Sequence, residues 1–264
     1  MTEDTRTYNR EAWDFQVASG NPWTVPVGAE VIEAARNGEW TVVLIDHMPT
    51  PRSWFPESLA GVDLLCLAAG GGQQGPILAA AGARVTVLDN SPAQLAQDRK
   101  VADAHGLAVR TVEGDMADLS VFAAESFDLV FHPVSNVFAP DVRPVWREAH
   151  RVLRPGGALL AGFMNPAVFV FDWDLAERTG ELSVRYPLPF VEERDLPPDQ
   201  LAARRERGVP VEFSHSLEAQ IGGQLEAGFG LVALLEARRS SAEPPDALNP
   251  YVPCYIATRA IKQA

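Results

Sequence analysis

The stretch Val62-Asp-Leu-Leu-Cys-Leu-Ala-Ala-Gly-Gly-Gly-Gln-Gln-Gly75, followed by Val85-Thr-Val-Leu-Asp89, constrains this chain more than any other. An apolar run ends in three consecutive glycines, a helical pattern follows, and a second apolar run ends in a carboxylate. That is the layout of a βαβ unit that brings backbone close to a nucleotide. Glycines remove the Cβ that would hold a ligand at a distance. An acid at the end of the second strand can accept hydrogen bonds from a ribose diol. The spacing Gly70-x-Gly72-x-x-Gly75 also fits a dinucleotide fingerprint, so the loop alone leaves the nucleotide open.

The alternation continues beyond the loop. Residues 62–67, 84–89, 108–113, 127–132 and 157–163 read as strands, with helices at 74–81, 92–105 and 142–153. Ser91-Pro92 is a strong helix start, with a capping hydroxyl and proline in the first helical position. Continuous apolar strands between helices imply a parallel sheet covered on both faces, with ligands at the strands' carboxyl ends. A helix at 214–227, a strand at 229–237, a polar linker at 240–249 and a strand at 251–260 complete the pattern. The expected fold is α/β: a doubly wound, mostly parallel seven-stranded sheet with helices on both faces and the last strand antiparallel.

Two zones depart from the alternation. Residues 1–60 hold Trp13, Trp23, Trp40 and Trp54, with helices at 6–18 and 28–37 and a short strand at 41–45. This preface is too small for a core of its own and reads as a lid packed on the domain at 61–264. Residues 165–213 are rich in proline and mixed charge, carry Phe169, Phe171, Trp173, Tyr186 and Phe190, and read as an inserted substrate cap.

Charge and composition narrow the partners. The net charge is −13 and the lysines are Lys100 and Lys262 alone, a surface that repels a phosphate backbone. No apolar run reaches membrane-spanning length, and the polar beginning of the chain resembles no signal sequence. Cys66 lies inside a buried strand, so a disulfide to Cys254 is not expected. The five histidines are scattered without metal-ligand spacing. The expectation is a cytoplasmic protein acting on a small molecule, without metal, membrane or nucleic acid; nothing indicates an oligomeric state.

The remaining candidates follow the strands. Asp89 ends the second, positioned for a ribose. Asp115, in Gly114-Asp115-Met116 after the third, is placed to accept from an adenine amino group. His132, Ser135 and Asn136 leave the fourth, where a histidine can serve as a general base.

Taken together, the glycine loop, Asp89-Asn90, Gly114-Asp115-Met116, Phe127-Asp-Leu-Val and Val152-Leu-Arg-Pro-Gly-Gly resemble the class I S-adenosylmethionine-dependent methyltransferases of the small-molecule type. The resemblance is strong over residues 62–163 and extends in layout over 214–260. It implies S-adenosyl-L-methionine as cofactor, contacted by Tyr8, Trp13, Ala68, Gly70, Gly72, Gln74, Asp89, Asn90, Gly114, Asp115, Met116 and His132. It also implies transfer to a small acceptor, with His132 and Asn136 as catalytic candidates. Cys66 stands where the family usually has an acid, and Ala68 where it has glycine; the amides of Gln73 and Gln74 are candidate replacements for that acid. In-line displacement from a sulfonium needs mainly positioning and exclusion of water, so a base is required only for a protonated acceptor. A nicotinamide-dependent oxidoreductase is the first alternative, although no Tyr-x-x-x-Lys dyad is present. A non-catalytic S-adenosylmethionine binder is the second.

Overall fold

The computed structural model describes residues 3–240 and 247–263. Before the glycine loop the chain forms α1 (Glu3–Ala18), α2 (Ala29–Arg36), β1 (Val43–Ile45) and β2 (Met48–Pro49). The central alternation follows: β3 (Asp63–Leu67), α3 (Gln74–Ala80), β4 (Arg84–Asp89), α4 (Pro92–His105), β5 (Val109–Glu113), β6 (Phe127–His132), α5 (Arg143–Val152) and β7 (Leu153–Met164). Then come α6 (Trp173–Thr179), α7 (Glu192–Asp195), α8 (Pro198–Glu206), a π turn (Glu218–Gly222), α9 (Gly223–Glu226), β8 (Phe229–Ala237) and β9 (Tyr255–Lys262).

The large sheet has seven strands in the order β5-β4-β3-β6-β7-β9-β8, with β9 antiparallel to both neighbours and the others parallel. This is the expected architecture. Strand order reverses at β3, which places the ligand crevice at the carboxyl ends of β3 and its neighbours. Alternate residues feed opposite faces. Leu64, Cys66, Leu129 and Phe131 pack towards Trp54, Phe55 and α3, while Leu65, Leu67, Val130 and Leu159 pack towards Trp146 and α5. Ser91 caps α4 by accepting from the Gln94 N–H, as its sequence predicts.

Local departures have local causes. The last parallel strand starts at Leu153 rather than residue 157, because the Arg154–Gly157 stretch is absorbed as an irregularity between the pairs Phe127↔Leu153 and Leu129↔Ala158. The helix expected at 214–227 begins only at Leu217 and runs through the π turn; residues 214–216 are irregular, and the Ser214 N–H donates to the Phe190 carbonyl. The final strand begins at Tyr255 rather than 251. The linker expected at 240–249 lies in part outside the described residues.

The segment 165–213 sits beside the sheet around a small core of its own. Val168, Phe169, Tyr186 and Phe190 are buried there with Val137, Leu248 and Cys254. Helix α1 joins this segment to the sheet. Its Tyr8 hydroxyl donates to the Val209 carbonyl, Asn9 bonds Phe138 and Val211, and Asp14 accepts from Ser91 and Ala93 at the start of α4.

Candidate functional site

A cavity of about 490 Å³ opens at the carboxyl ends of β3, β4, β5 and β6 and runs under α1 and the 165–213 segment. Its size lies within the roughly 300–1,000 Å³ of small-molecule sites. Ala68 and Gly70 line it from the first loop, Asp89 and Asn90 from β4, and Gly114, Asp115 and Met116 from β5. Pro133, Val134 and Ser135 line it from β6, and Trp13, Trp23 and Gln74 close the near side.

The carboxylates here are already anchored. Asp89 accepts the Ser91 N–H through Oδ1 and the Gly70 N–H through Oδ2, each at 2.9 Å. Burial raises its carboxyl above the usual range, against the pull of those backbone donors. Asp115 accepts the Ala117 N–H at 2.9 Å and lies 3.9 Å from Arg6 Nε. Asn90 is paired with Arg6, accepting from its guanidinium and donating to its carbonyl. Trp13 meets Phe138 edge-on at 5.2 Å, and Trp23 stacks on His47 at 4.9 Å. Trp40 and Trp54 pack away from the cavity, Trp40 edge-on to Phe55.

The glycine triplet divides in two. Gly70 faces the cavity, and a Cβ there would stand 2.7 Å from Gln94 Cβ and 3.0 Å from Asp89 Oδ2. Gly71 and Gly72, at φ +117° and +75°, are pressed from behind: their Cβ atoms would stand 2.8 Å from the Trp23 carbonyl and 2.9 Å from the Gln97 carbonyl. Residues 22–27 strap this rear face. The Val27 N–H donates to Gly72, and the Gln73 amide donates to the carbonyls of Pro22 and Val25. Gly72, expected to contact cofactor, is therefore away from the cavity, held by strap and helix. Gly75 packs against Val87 of the sheet. Ala68 adopts φ +49° on the cavity wall, a left-handed conformation that strains an alanine.

Three expected contacts correct differently. Tyr8 is outside the lining, its hydroxyl spent on Val209. His132 is fully buried and does not project into the crevice; its Nδ1–H donates to the Leu67 carbonyl at 2.8 Å, and Nε2 has no partner among the described residues. Burial lowers its pKa to about 4, so the ring is neutral at physiological pH. Asn136 is also fully buried, in a reciprocal amide pair with Gln220 at 3.0 and 3.1 Å. Neither side chain reaches the cavity. Gln74 lines the wall, yet its amide oxygen is taken by the Val43 N–H.

Sequence reasoning missed Gln94, Glu212 and Arg6. Gln94 lines the cavity with its Oε1 buried and unpartnered among the described residues. At the far end stand Met164, Phe169, Trp173 and Tyr255, with Glu212, Arg207 and Arg239 as polar groups. Arg204 gives both arms of its guanidinium to Glu192, each at 3.0 Å, and reaches Glu212 only at 3.6 Å. Burial raises the Glu212 carboxyl, Arg204 opposes that, and Glu192 adds to it.

These residues suit an adenosyl cofactor. Acids terminate β4 and follow β5, the turn leaves no room for a side chain at Gly70, and Gln94 Oε1 is a buried acceptor without a donor.

Comparison with known proteins agrees. A family described as a methyltransferase domain matches residues 65–161. The "Uncharacterized methyltransferase YbaJ" of Bacillus subtilis (strain 168) is 48% identical over 255 residues, covering 97% of each chain. Among solved structures, an S-adenosylmethionine-dependent methyltransferase from Mesorhizobium loti has a TM-score of 0.61 at 20% identity, over 80% of this chain and 94% of that one. The 1,6-didemethyltoxoflavin-N1-methyltransferase of Burkholderia thailandensis, solved with its acceptor and S-adenosylhomocysteine, has a TM-score of 0.57 at 15% identity, over 100% and 91%. The chain belongs to the class I S-adenosylmethionine-dependent methyltransferases. It is an enzyme, and S-adenosylmethionine is its cofactor.

Proposed function

We propose that this methyltransferase acts on a small organic acceptor held between the crevice and the 165–213 segment. The observation that carries the reading is the continuity of one cavity, from Gly70, Asp89 and Asp115 to the aromatic end at Phe169, Trp173 and Tyr255. Asp89 would take the ribose hydroxyls and Asp115 the adenine amino group, with Gly70 and Gln94 beside the methionine half. When bound, the cofactor supplies an electrophilic methyl on a sulfonium and departs as a neutral thioether.

The chain's own work is positional. Trp13, Trp23 and the 165–213 segment exclude water and orient the acceptor, which is where the rate gain of an in-line displacement arises. His132 is set aside as base, because its ring is buried below the crevice and tied to Leu67. An acceptor that must lose a proton would lose it to Glu212, a cavity carboxylate that burial raises above its usual range and that Arg204 reaches at 3.6 Å. The −13 net charge supports a small acceptor over a nucleic acid.

The test uses cofactor labelled in its methyl group and a fractionated cell extract. Label appearing in a small molecule other than the cofactor and its breakdown products, and only when the enzyme is added, supports the reading. Label passing only into protein or nucleic acid ends it.

A further inference from the structure

The rear of the cofactor turn holds a group that the reaction itself does not use. Asp98, midway along α4, is fully buried. Its Oδ2 accepts the Gly71 N–H at 3.1 Å, while Oδ1 is buried without a hydrogen-bond partner among the described residues. The structure makes room for it: a Cβ on Gly75 would stand 3.3 Å from Oδ1. Of the other buried positions of α4, Leu95, Val101 and Ala102 are ordinary core and Gln94 is the polar one, at the cavity wall. A buried carboxyl among them carries a desolvation penalty that leucine at the same position would avoid. Beside it on β3 stands Cys66, whose thiol is pushed up by burial and by Asp98.

We propose that Asp98 is the positioning carboxyl of the cofactor turn, supplied from α4 across the sheet in place of an acid at Cys66. This rests on the reading that the turn holds the methionine half of S-adenosylmethionine. Asp98 does not line the cavity and acts through Gly71. With Asp89 holding the Gly70 N–H, and Asp98 sharing the Gly71 N–H with the Gln94 carbonyl at 3.2 Å, two successive amides are held by two carboxyls from different elements. The turn is thereby held in one conformation before ligand arrives, so less ordering is left for binding to supply.

Asp89 on β4 disfavours the charge of Asp98, while the Gly71 and Gly72 N–H groups and Arg99 on its own helix favour it; the Cys66 thiol on β3 is held neutral by burial and adds no charge. Burial leads, and the carboxyl is raised to about 8. At neutral pH it is therefore mostly protonated, with the proton on the unpartnered Oδ1 and Oδ2 free to accept from Gly71. Above that pH it becomes a buried anion, a stronger acceptor that also favours a cationic ligand.

The experiment is calorimetric titration of S-adenosylhomocysteine and S-adenosylmethionine into wild type, Asp98→Asn, Asp98→Leu and the double variant Cys66→Asp/Asp98→Leu, at pH 6.5 and 9. Circular dichroism establishes that each is folded. Asp98→Asn keeps an acceptor for Gly71 and should bind within about twofold of wild type at pH 6.5. At pH 9 it should fall behind wild type by about fivefold, since only wild type gains the charge. Asp98→Leu should be weaker by about tenfold at pH 6.5, the size of one lost hydrogen bond to an acidic group, and by several-fold more at pH 9, where it too lacks the charge. An acid returned to position 66 should recover part of that loss. Wild-type affinity in Asp98→Leu, or a wild-type to Asp98→Asn ratio independent of pH, overturns the proposal and leaves Asp98 a packing residue. If wild type itself binds neither ligand, the cofactor reading of the turn fails, and this proposal with it.

Discussion

The Nδ1 of His132 lies 2.8 Å from the carbonyl oxygen of Leu67, so the imidazole clamps β6 to β3 at the carboxyl ends of both strands. The ring stands edge-on to Trp146 at 5.9 Å, on the α5 side of the sheet. This is a support under the crevice floor, and it separates what His132 does for the fold from what it does for chemistry.

The clamp makes acid stability the first prediction. The folded pKa of about 4 lies below the ordinary value of 6.5, so between these limits the unfolded chain binds a proton that the folded chain refuses. Stability from this group is complete above pH 6.5 and is lost as pH falls towards 4. The melting temperature of wild type should drop over that window, by several degrees, and His132→Asn should lack this component. The same variant should keep methyl transfer within a few-fold. A loss of roughly 10²–10⁴, the size of a missing general base, would restore His132 to the chemistry.

Asp89 should be the most sensitive position for cofactor. Asp89→Ala removes the proposed ribose acceptor and frees the Gly70 N–H together. Its affinity for S-adenosylhomocysteine, measured by calorimetry, should fall by at least about tenfold. An unchanged constant would place the ribose elsewhere.

Glu212→Gln separates proton removal from binding. With an acceptor in hand, kcat should fall by roughly 10²–10⁴ while the cofactor dissociation constant stays within twofold. Wild-type activity should decline as pH falls through a pKa above the usual carboxylate range, because the base must be ionised to accept a proton. The variant should lack that limb. Equal kcat in both proteins would leave catalysis wholly positional.

Gly72 and Gly106 form a matched pair for testing the strap. Both have positive φ, but a Cβ at Gly72 meets the Gln97 carbonyl at 2.9 Å and Pro26 at 3.0 Å, whereas Gly106 has nothing within 4 Å. Gly106→Ala should cost about 1–2 kcal/mol from conformation alone. Gly72→Ala should cost clearly more in chemical denaturation, because residues 22–27 and α4 must both move. Equal effects would mean the strap is loosely docked.

The central sheet was legible because strands buried on both faces read as unbroken apolar runs, as 62–67 and 84–89 do. The final strand was shifted because Tyr251-Val-Pro-Cys254 is apolar without being paired. Site residues at strand ends were legible as positions, and Asp89, Gly114, Asp115 and Met116 do line the cavity. Side-chain direction was harder. Strand alternation puts His132 in phase with Val130, on the α5 face, and that period-two count was the missed signal. Asp98 is three residues from Leu95 and from Val101, on the buried stripe of its helix, so its polarity was the clue. Glu212 and the rear contacts of Gly71 and Gly72 depend on segments far away in the chain, which no local pattern encodes.

The strap across Gly71 and Gly72 gives the amino-terminal region a thermodynamic hold on the ligand site. Whatever tightens the turn must also tighten residues 22–27, because they share the same atoms at the back of it. Saturating amounts of cofactor should therefore slow amide hydrogen exchange at Val27 as well as around Gly71, although Val27 faces no ligand. By reciprocity, a bulky fusion that strains the first thirty residues would register as weakened affinity at a pocket it never touches.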